Sequence, residues 1–137
     1  TQERLKQIVD SQYKPTPDGL SGNDDLGQMS AWLVFTGLGF YPVTPGSNQY
    51  VIGRPFVDRA VLNLPGGKRF TVETEGLSDA NRYVGKVELN GKPLTRSWIS
   101  DAEIRSGGTL RFTMQAKSDT AWGKAPGARP YSQSTAR

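Results

Sequence analysis

Apolar positions along the first forty residues repeat at helical spacing, and from about residue 50 the repeat shortens to two. Leu5, Ile8, Val9 and Tyr13 fall on one face of a helix predicted over residues 1–13, with Glu3, Arg4, Lys6 and Asp10 between them. Lys14-Pro15-Thr16-Pro17-Asp18-Gly19 ends that helix, because two prolines and a glycine do not sit in a helix interior. A second helix is predicted over residues 26–37. Met29, Trp32, Leu33, Val34 and Phe35, with Leu38 just beyond, leave it little polar face. It is therefore expected to be buried on nearly every side, and this chain holds little protein to cover it.

Past Pro42-Val43-Thr44-Pro45-Gly46 the pattern alternates. Tyr50-Val51-Ile52, the runs 60–64 and 69–74, and 83–89 read as strands, with Phe70 and Val72 sharing a face. Pro65-Gly66-Gly67-Lys68 reads as a hairpin connection, and Asn90-Gly91 as a tight turn whose second residue tolerates positive φ. Ser97-Trp98-Ile99 and the run 109–114 complete the set. Short strands with turn signals at this spacing predict an antiparallel sheet or sandwich. Two helices followed by strands, without βαβ alternation, make the fold class α+β. After Trp122-Gly123 no apolar face repeats, and residues 124–137 are expected to form a flexible basic tail.

The chain has 137 residues, of which 35% are hydrophobic and 22% charged, enough for one compact domain. It contains neither cysteine nor histidine. Disulfides, thiol nucleophiles, imidazole bases and ordinary zinc sites are thereby excluded, and a metal bound here should be a hard, oxygen-preferring cation. Of the net charge of +4, Lys124, Arg129 and Arg137 supply three in a segment without acids. The body is nearly neutral, its basic residues alternating with acids, which argues against nucleic acid as a partner. No apolar run approaches the ~20 residues of a membrane span. The chain opens at Thr1, without a signal peptide, on residues that already read as helix, so it is expected to start partway through a larger gene product.

The chemistry concentrates in Gly22-Asn23-Asp24-Asp25, which runs into Leu26-Gly27-Gln28-Met29-Ser30-Ala31-Trp32. On spacing alone Asp25 reads as an N-cap, with Gln28 three residues later completing a capping box. A carboxylate there also suits the helix dipole. An EF-hand is excluded: from Asp18 or Asn23, its ligand register meets Leu20 or Gly27.

The block from Pro17-Asp18-Gly19-Leu20-Ser21, through the acidic loop, to Gly37-Leu38-Gly39-Phe40-Tyr41-Pro42-Val43 resembles the C-terminal part of family 92 glycoside hydrolases. These are calcium-dependent, exo-acting α-mannosidases. The resemblance spans residues 5–123 and is strongest over 17–56. It departs at Asp101, where the family often has His after the Trp-Ile-Ser segment, and at Lys117-Ser118-Asp119, where it has a Pro-Asn stretch.

The resemblance implies that residues 1–40 are the last helices of an (α/α)6 barrel, with residues 41–123 a closing β-rich module. It implies hydrolysis of terminal α-mannosides with inversion, by a secreted or periplasmic enzyme. The acidic loop would form one wall of its active site. Asp25 matches the general base, while Asn23 and Asp24 match positions that support the site. A single Ca²⁺ on the mannose hydroxyls is implied as well, with Asp25 as the candidate ligand in this chain. The loop supplies one or two of the six to eight oxygens Ca²⁺ takes. The other ligands and the family's Glu general acid would lie upstream of Thr1, since Glu3, Glu73, Glu75, Glu88 and Glu103 match no such motif. The isolated chain is then expected to be inactive, and either to self-associate or to dock on the remainder of its enzyme. Trp32 and Phe40 read as core, Trp122 as structural, and Trp98 as a surface aromatic that could stack on sugars. The rival reading is a non-catalytic β-sandwich that binds carbohydrate or protein.

Overall fold

The computed structural model describes residues 1–135; of Thr135 only the backbone is described. The first helix, α1, runs Gln2–Gln12 and ends before the proline-rich loop, as its pattern predicts. The second, α2, covers Gln28–Gly37 and starts two residues later than predicted. The delay has a backbone cause: Leu26 (φ 56°) and Gly27 (φ 75°) are both left-handed, inside a short 3-10 turn over Asp25–Gly27. α1 and α2 are joined by the stacked rings of Tyr13 and Trp32, 5.6 Å apart and nearly parallel. In α2 only Thr36 is fully buried, and Val34 is 63% exposed. This chain therefore covers one side of the helix, as its composition led us to expect.

Eight strands follow: β1 (Phe40–Tyr41), β2 (Gln49–Ile52), β3 (Arg59–Asn63), β4 (Arg69–Glu75), β5 (Tyr83–Leu89), β6 (Lys92–Pro93), β7 (Trp98–Ser100) and β8 (Gly108–Gln115). They form two sheets, ordered β1-β2-β7 and β3-β4-β8-β5-β6. The three-residue turn Pro65–Gly67 closes the β3–β4 hairpin, and Asn90-Gly91 closes β5–β6 with both residues at positive φ.

The expected all-antiparallel arrangement is corrected by β8, which lies parallel to β4 and antiparallel to β5. Two glycines explain how it fits there. A Cβ on Gly107 would lie 2.9 Å from the carbonyl oxygen of Arg69, and one on Gly108 would lie 2.1 Å from Asn90 Oδ1. Bare backbone lets the start of β8 slide between the start of β4 and the β5–β6 turn, where Asn90 Oδ1 accepts the Thr109 N–H at 2.8 Å. From there β8 runs beside β4 in register, Phe70 opposite Gly108 and Phe112 opposite Thr74.

Alternation along these strands sorts their side chains. Phe70 and Val72 of β4 and Leu110, Phe112 and Met114 of β8 point into the core with Val84 and Val87 of β5. Phe40, Ile52, Leu94, Ile99 and Ile104 close it from the other side. The opposite face of the larger sheet is polar, with Arg111 directly across from Glu73 and bonded to it at 2.9 Å.

A third helix, α3 (Asp101–Ser106), was not anticipated, although Ser100-Asp101-Ala102-Glu103 carries its signal. Ser100 Oγ accepts the Glu103 N–H and Glu103 Oε2 accepts the Ser100 N–H, a complete capping box. Arg96 pairs with the same carboxylate. Burial pushes the Glu103 carboxyl up, but Arg96 and Ser100 outweigh it and hold the group below its ordinary range. Asp101, at the position where the resemblance leads one to expect His, opens this helix and pairs with Arg105 at 2.5 Å.

The segment after Gly123 also departs from expectation. Ala128 is buried, its carbonyl accepts the Ser97 N–H at 2.8 Å, and the Tyr131 N–H reaches Gln49 Oε1 at 2.6 Å. Bonds from its backbone to Ser97 and to the Gln49 side chain thus fix a segment that lacks an apolar repeat; Ala136 and Arg137 lie outside the described residues. No helix among the described residues is long and apolar enough to cross a membrane.

Replacing Ser100 by Ala should destabilise the folded chain by about 1 kcal/mol, the usual worth of such a cap, as read from urea denaturation at neutral pH. Because the Glu103 carboxyl is held low, its contribution is full above the ordinary carboxylate range and disappears as pH falls through its folded-state value. The difference between wild type and Ser100→Ala should therefore narrow in acid. Equal urea midpoints at neutral pH would contradict the assignment.

Candidate active site

The acidic loop sits on the N-terminal end of α2, and its backbone separates the two carboxylates. Gly27 occupies the cap position and has no side chain to offer the free N–H groups of the first turn. Asp24, three residues earlier, reaches over it. Asp24 Oδ1 accepts the Ser30 N–H at 3.0 Å, and Oδ2 accepts the Ser30 Oγ–H at 2.5 Å. The Gly27 N–H closes the turn on the Asp24 carbonyl at 3.0 Å.

This corrects the capping box predicted between Asp25 and Gln28. The left-handed pair Leu26-Gly27 reverses the chain between Asp25 and the helix, so the cap passes back to Asp24. Asp25 is exposed, and among the described residues its carboxylate has no hydrogen-bond partner. Asn23 is exposed on the same loop. The structure therefore brings Asn23, Asp24 and Asp25 together but gives the two acids different work.

The charge state follows from the geometry. The Ser30 hydroxyl, then the Ser30 N–H, hold the Asp24 carboxyl below the ordinary range, because both bonds favour the ionised form. Tyr13 lies nearby, its hydroxyl donating to the Met29 carbonyl in the first turn of α2 at 3.0 Å. Burial, and then the negative charge of Asp24, push the Tyr13 phenol up. Tyr13 thus stays protonated and ties α1 to the base of the loop. Sequence reasoning missed the parts played by Tyr13 and Ser30. Gly27 directly before the apolar run was the available signal that the cap must come from further back.

The other candidates have structural roles. Phe40 is 1% exposed, and Trp32 is half-buried on Tyr13. The Trp122 indole N–H donates to the Leu94 carbonyl at 2.8 Å. Trp98 is half-buried beneath the Arg96 guanidinium, 4.6 Å from its ring centroid, which takes up a face that a sugar would need. Glu73 pairs with Arg111, Glu88 with Lys86 and Glu103 with Arg96.

For a cation the loop is incomplete. Among the described residues no three His, Cys, Asp or Glu side chains come together as a metal site. Both oxygens of Asp24 are engaged by Ser30, which leaves Asp25 as the free carboxylate donor. Ca²⁺ takes six to eight oxygens, so this chain alone does not fit the ion.

The loop thus holds an ionised carboxylate locked to a helix beside one without a partner, in a chain that has neither thiol nor imidazole. Residues 1–116 match the family model described as the glycosyl hydrolase family 92 catalytic domain, and the chain belongs to that family. Among curated proteins it is 36% identical over 124 residues to an uncharacterised secreted glycosidase of Arthroderma benhamiae, an alignment covering 88% of this chain and 16% of that protein. Among solved structures it superimposes on a family GH92 α-mannosidase of Bacteroides thetaiotaomicron, determined in complex with mannoimidazole, with a TM-score of 0.90 and 41% identity. That match covers 96% of this chain and 17% of the other. A family GH92 inverting mannosidase of the same organism gives a TM-score of 0.88 at 38% identity, over 97% of this chain and 18% of that one. The chain thus spans about one sixth of the length of these relatives.

The division of labour has a measurable consequence. Asp24→Ala should cost the folded chain about 1 kcal/mol, as the loss of an N-cap does. Asp25→Ala, at an exposed position without partners, should stay within about 0.5 kcal/mol of wild type. Urea titration of the two variants decides between the carboxylates, and the reverse ranking would restore Asp25 as the cap.

Proposed function

We propose that this chain is the C-terminal part of a glycoside hydrolase that removes terminal α-linked mannose with inversion, and that Asp25 is its general base. One observation carries the reading: Ser30 ties down Asp24 and leaves the Asp25 carboxylate free at the loop tip. A base needs a carboxylate that is ionised and unoccupied, within reach of a water. In inverting hydrolysis that water attacks the anomeric carbon from the face opposite the leaving group, with the two carboxyl groups ~6.5–9.5 Å apart to admit it. Asp25 takes the proton as the C–O bond forms. A general acid from elsewhere in the enzyme gives its proton to the departing glycosidic oxygen.

Calcium belongs to this proposal through the family alone. When bound it would supply positive charge and ordering to the mannose hydroxyls, with Asp25 as the one ligand this chain offers. α1 and α2 are read as the last helices of an (α/α)6 barrel, and residues 41–123 as the closing module. Exposed Ile8, Leu26, Val34 and Val43, together with an apolar cleft of about 130 Å³ lined by Leu5, Trp32, Val43 and Ile52, support a fold that continues beyond this chain. In isolation the same surface favours self-association. The fungal relative's being a secreted glycosidase by name supports an exported enzyme.

In the complete enzyme carrying this chain, Asp25→Asn should lower kcat by about 10²–10⁴-fold, the worth of a positioned base. Near-normal kcat in a folded variant would remove Asp25 from the chemistry.

The 137-residue chain alone should turn over no aryl α-mannoside and should bind Ca²⁺ more weakly than millimolar in calorimetry, since it holds one of the two carboxyl groups and few ligands. Turnover by the chain, or micromolar Ca²⁺ affinity, would contradict the reading.

A further inference from the structure

We infer that Ser30 is a positioning residue for the reaction, acting through Asp24 to hold Asp25 in place; the inference rests on Asp25 being the base. The geometry is a closed loop. Asp25, Leu26 and Gly27 lie between two fixed points, the Asp24 carboxylate and Ser30, which meet through two hydrogen bonds of 3.0 and 2.5 Å. Because each Asp24 oxygen has its own donor, both the plane and the position of that carboxylate are set. Asp24 is adjacent to Asp25 in the chain, so fixing its side chain fixes the peptide from which Asp25 projects.

The loop would not hold this shape unaided. Leu26 sits at φ 56°, a left-handed conformation that a residue with a Cβ disfavours. Its side chain is fully exposed and has no packing to offset that cost. A bond from Gly27 N–H to the Asp24 carbonyl closes the turn locally. Beyond it, the Ser30 hydroxyl is the side-chain donor that keeps the loop against the helix. Without the hydroxyl only the Ser30 N–H holds the Asp24 carboxylate, and Leu26 is freer to relax toward negative φ and carry Asp25 away from its water. Misplacement of this order acts on the rate more than on ground-state binding, because the base engages its water fully only as the C–O bond forms.

The test is a mutant cycle in the complete enzyme, with kcat and KM measured on an aryl α-mannoside and folding checked by thermal melting. Ser30→Ala should lower kcat about ten-fold while KM stays within about two-fold. Ser30→Thr, which keeps the hydroxyl, should recover kcat to within about two-fold of wild type. Asp24→Ala, which removes both acceptors, should reproduce the kcat loss from the other partner, and provides the comparison should Ser30→Ala fail to fold. On an Asp25→Asn background, Ser30→Ala should cost nothing further, since the residue it positions no longer acts. Full activity of Ser30→Ala, a Ser30→Thr enzyme as poor as the Ala variant, or losses that multiply on the Asp25→Asn background would each overturn the positioning role while leaving Asp25 as base. An Asp25→Asn enzyme of normal kcat would overturn the underlying reading, and this inference with it.

Discussion

The course of α2, and with it the place of the acidic loop relative to the core, is set at Gly39. At φ 89° it takes the chain out of α2, and a Cβ there would stand 2.9 Å from the Phe112 ring and 3.2 Å from the Pro55 nitrogen. Phe112 is fully buried in the middle strand of the larger sheet. The absence of a side chain at residue 39 lets the core press directly on backbone at the C-terminal end of α2. Hydrogen bonds then lock the junction: Gly53 N–H to the Gly39 carbonyl at 2.9 Å, and Phe56 N–H to the Gly37 carbonyl at 3.0 Å. Phe35, Phe40, Tyr41 and Tyr50 pack edge-on and tilted around the same point. α2 is thus fixed at its C-terminal end by the β-module and, through Tyr13, tied to α1 at the end that carries the acidic loop.

At that far end the physics is local. Two successive left-handed residues reverse the chain, and the two adjacent aspartates part company. One is consumed in satisfying the first turn of the helix, and the other is left with solvent. Had Asp25 been the cap, its carboxylate would carry both the N–H of the helix and the chemistry. With Asp24 in that place the helix end is satisfied and a free carboxylate remains, an arrangement that suits a proton acceptor.

Much of this could be read from the sequence, for identifiable reasons. The periods of β4, β5 and β8 were plain because each buries one face and wets the other, while that of α1 was plain from its spacing although no residue of it is buried in this chain. The turns at Pro65–Gly67 and Asn90-Gly91 followed from residue types that tolerate positive φ. The parallel placement of β8 was not legible, because it depends on clearance at Gly107 and Gly108 against residues far away in the chain. Nor was the loop's true cap. A left-handed Leu is disfavoured intrinsically, so Leu26 looked like the first residue of the helix, and the spacing rule selected Asp25. The helix α3 did carry a readable signal in Ser100 and Glu103, hidden behind the strand-like Trp98-Ile99. The tail was misjudged because its anchors, Ala128 and Tyr131, are held by backbone bonds that composition does not register.

The separation of the two aspartates is the claim on which the account rests, and NMR of the labelled chain tests it directly. As pH is lowered, the amide nitrogen shift of Ser30 should follow the Asp24 carboxyl, with a midpoint below the ordinary aspartate range. The Gln28 amide should show no comparable response to Asp25. If instead Gln28 tracks Asp25 and Ser30 is indifferent to Asp24, the cap lies on Asp25 and the loop is not built as described.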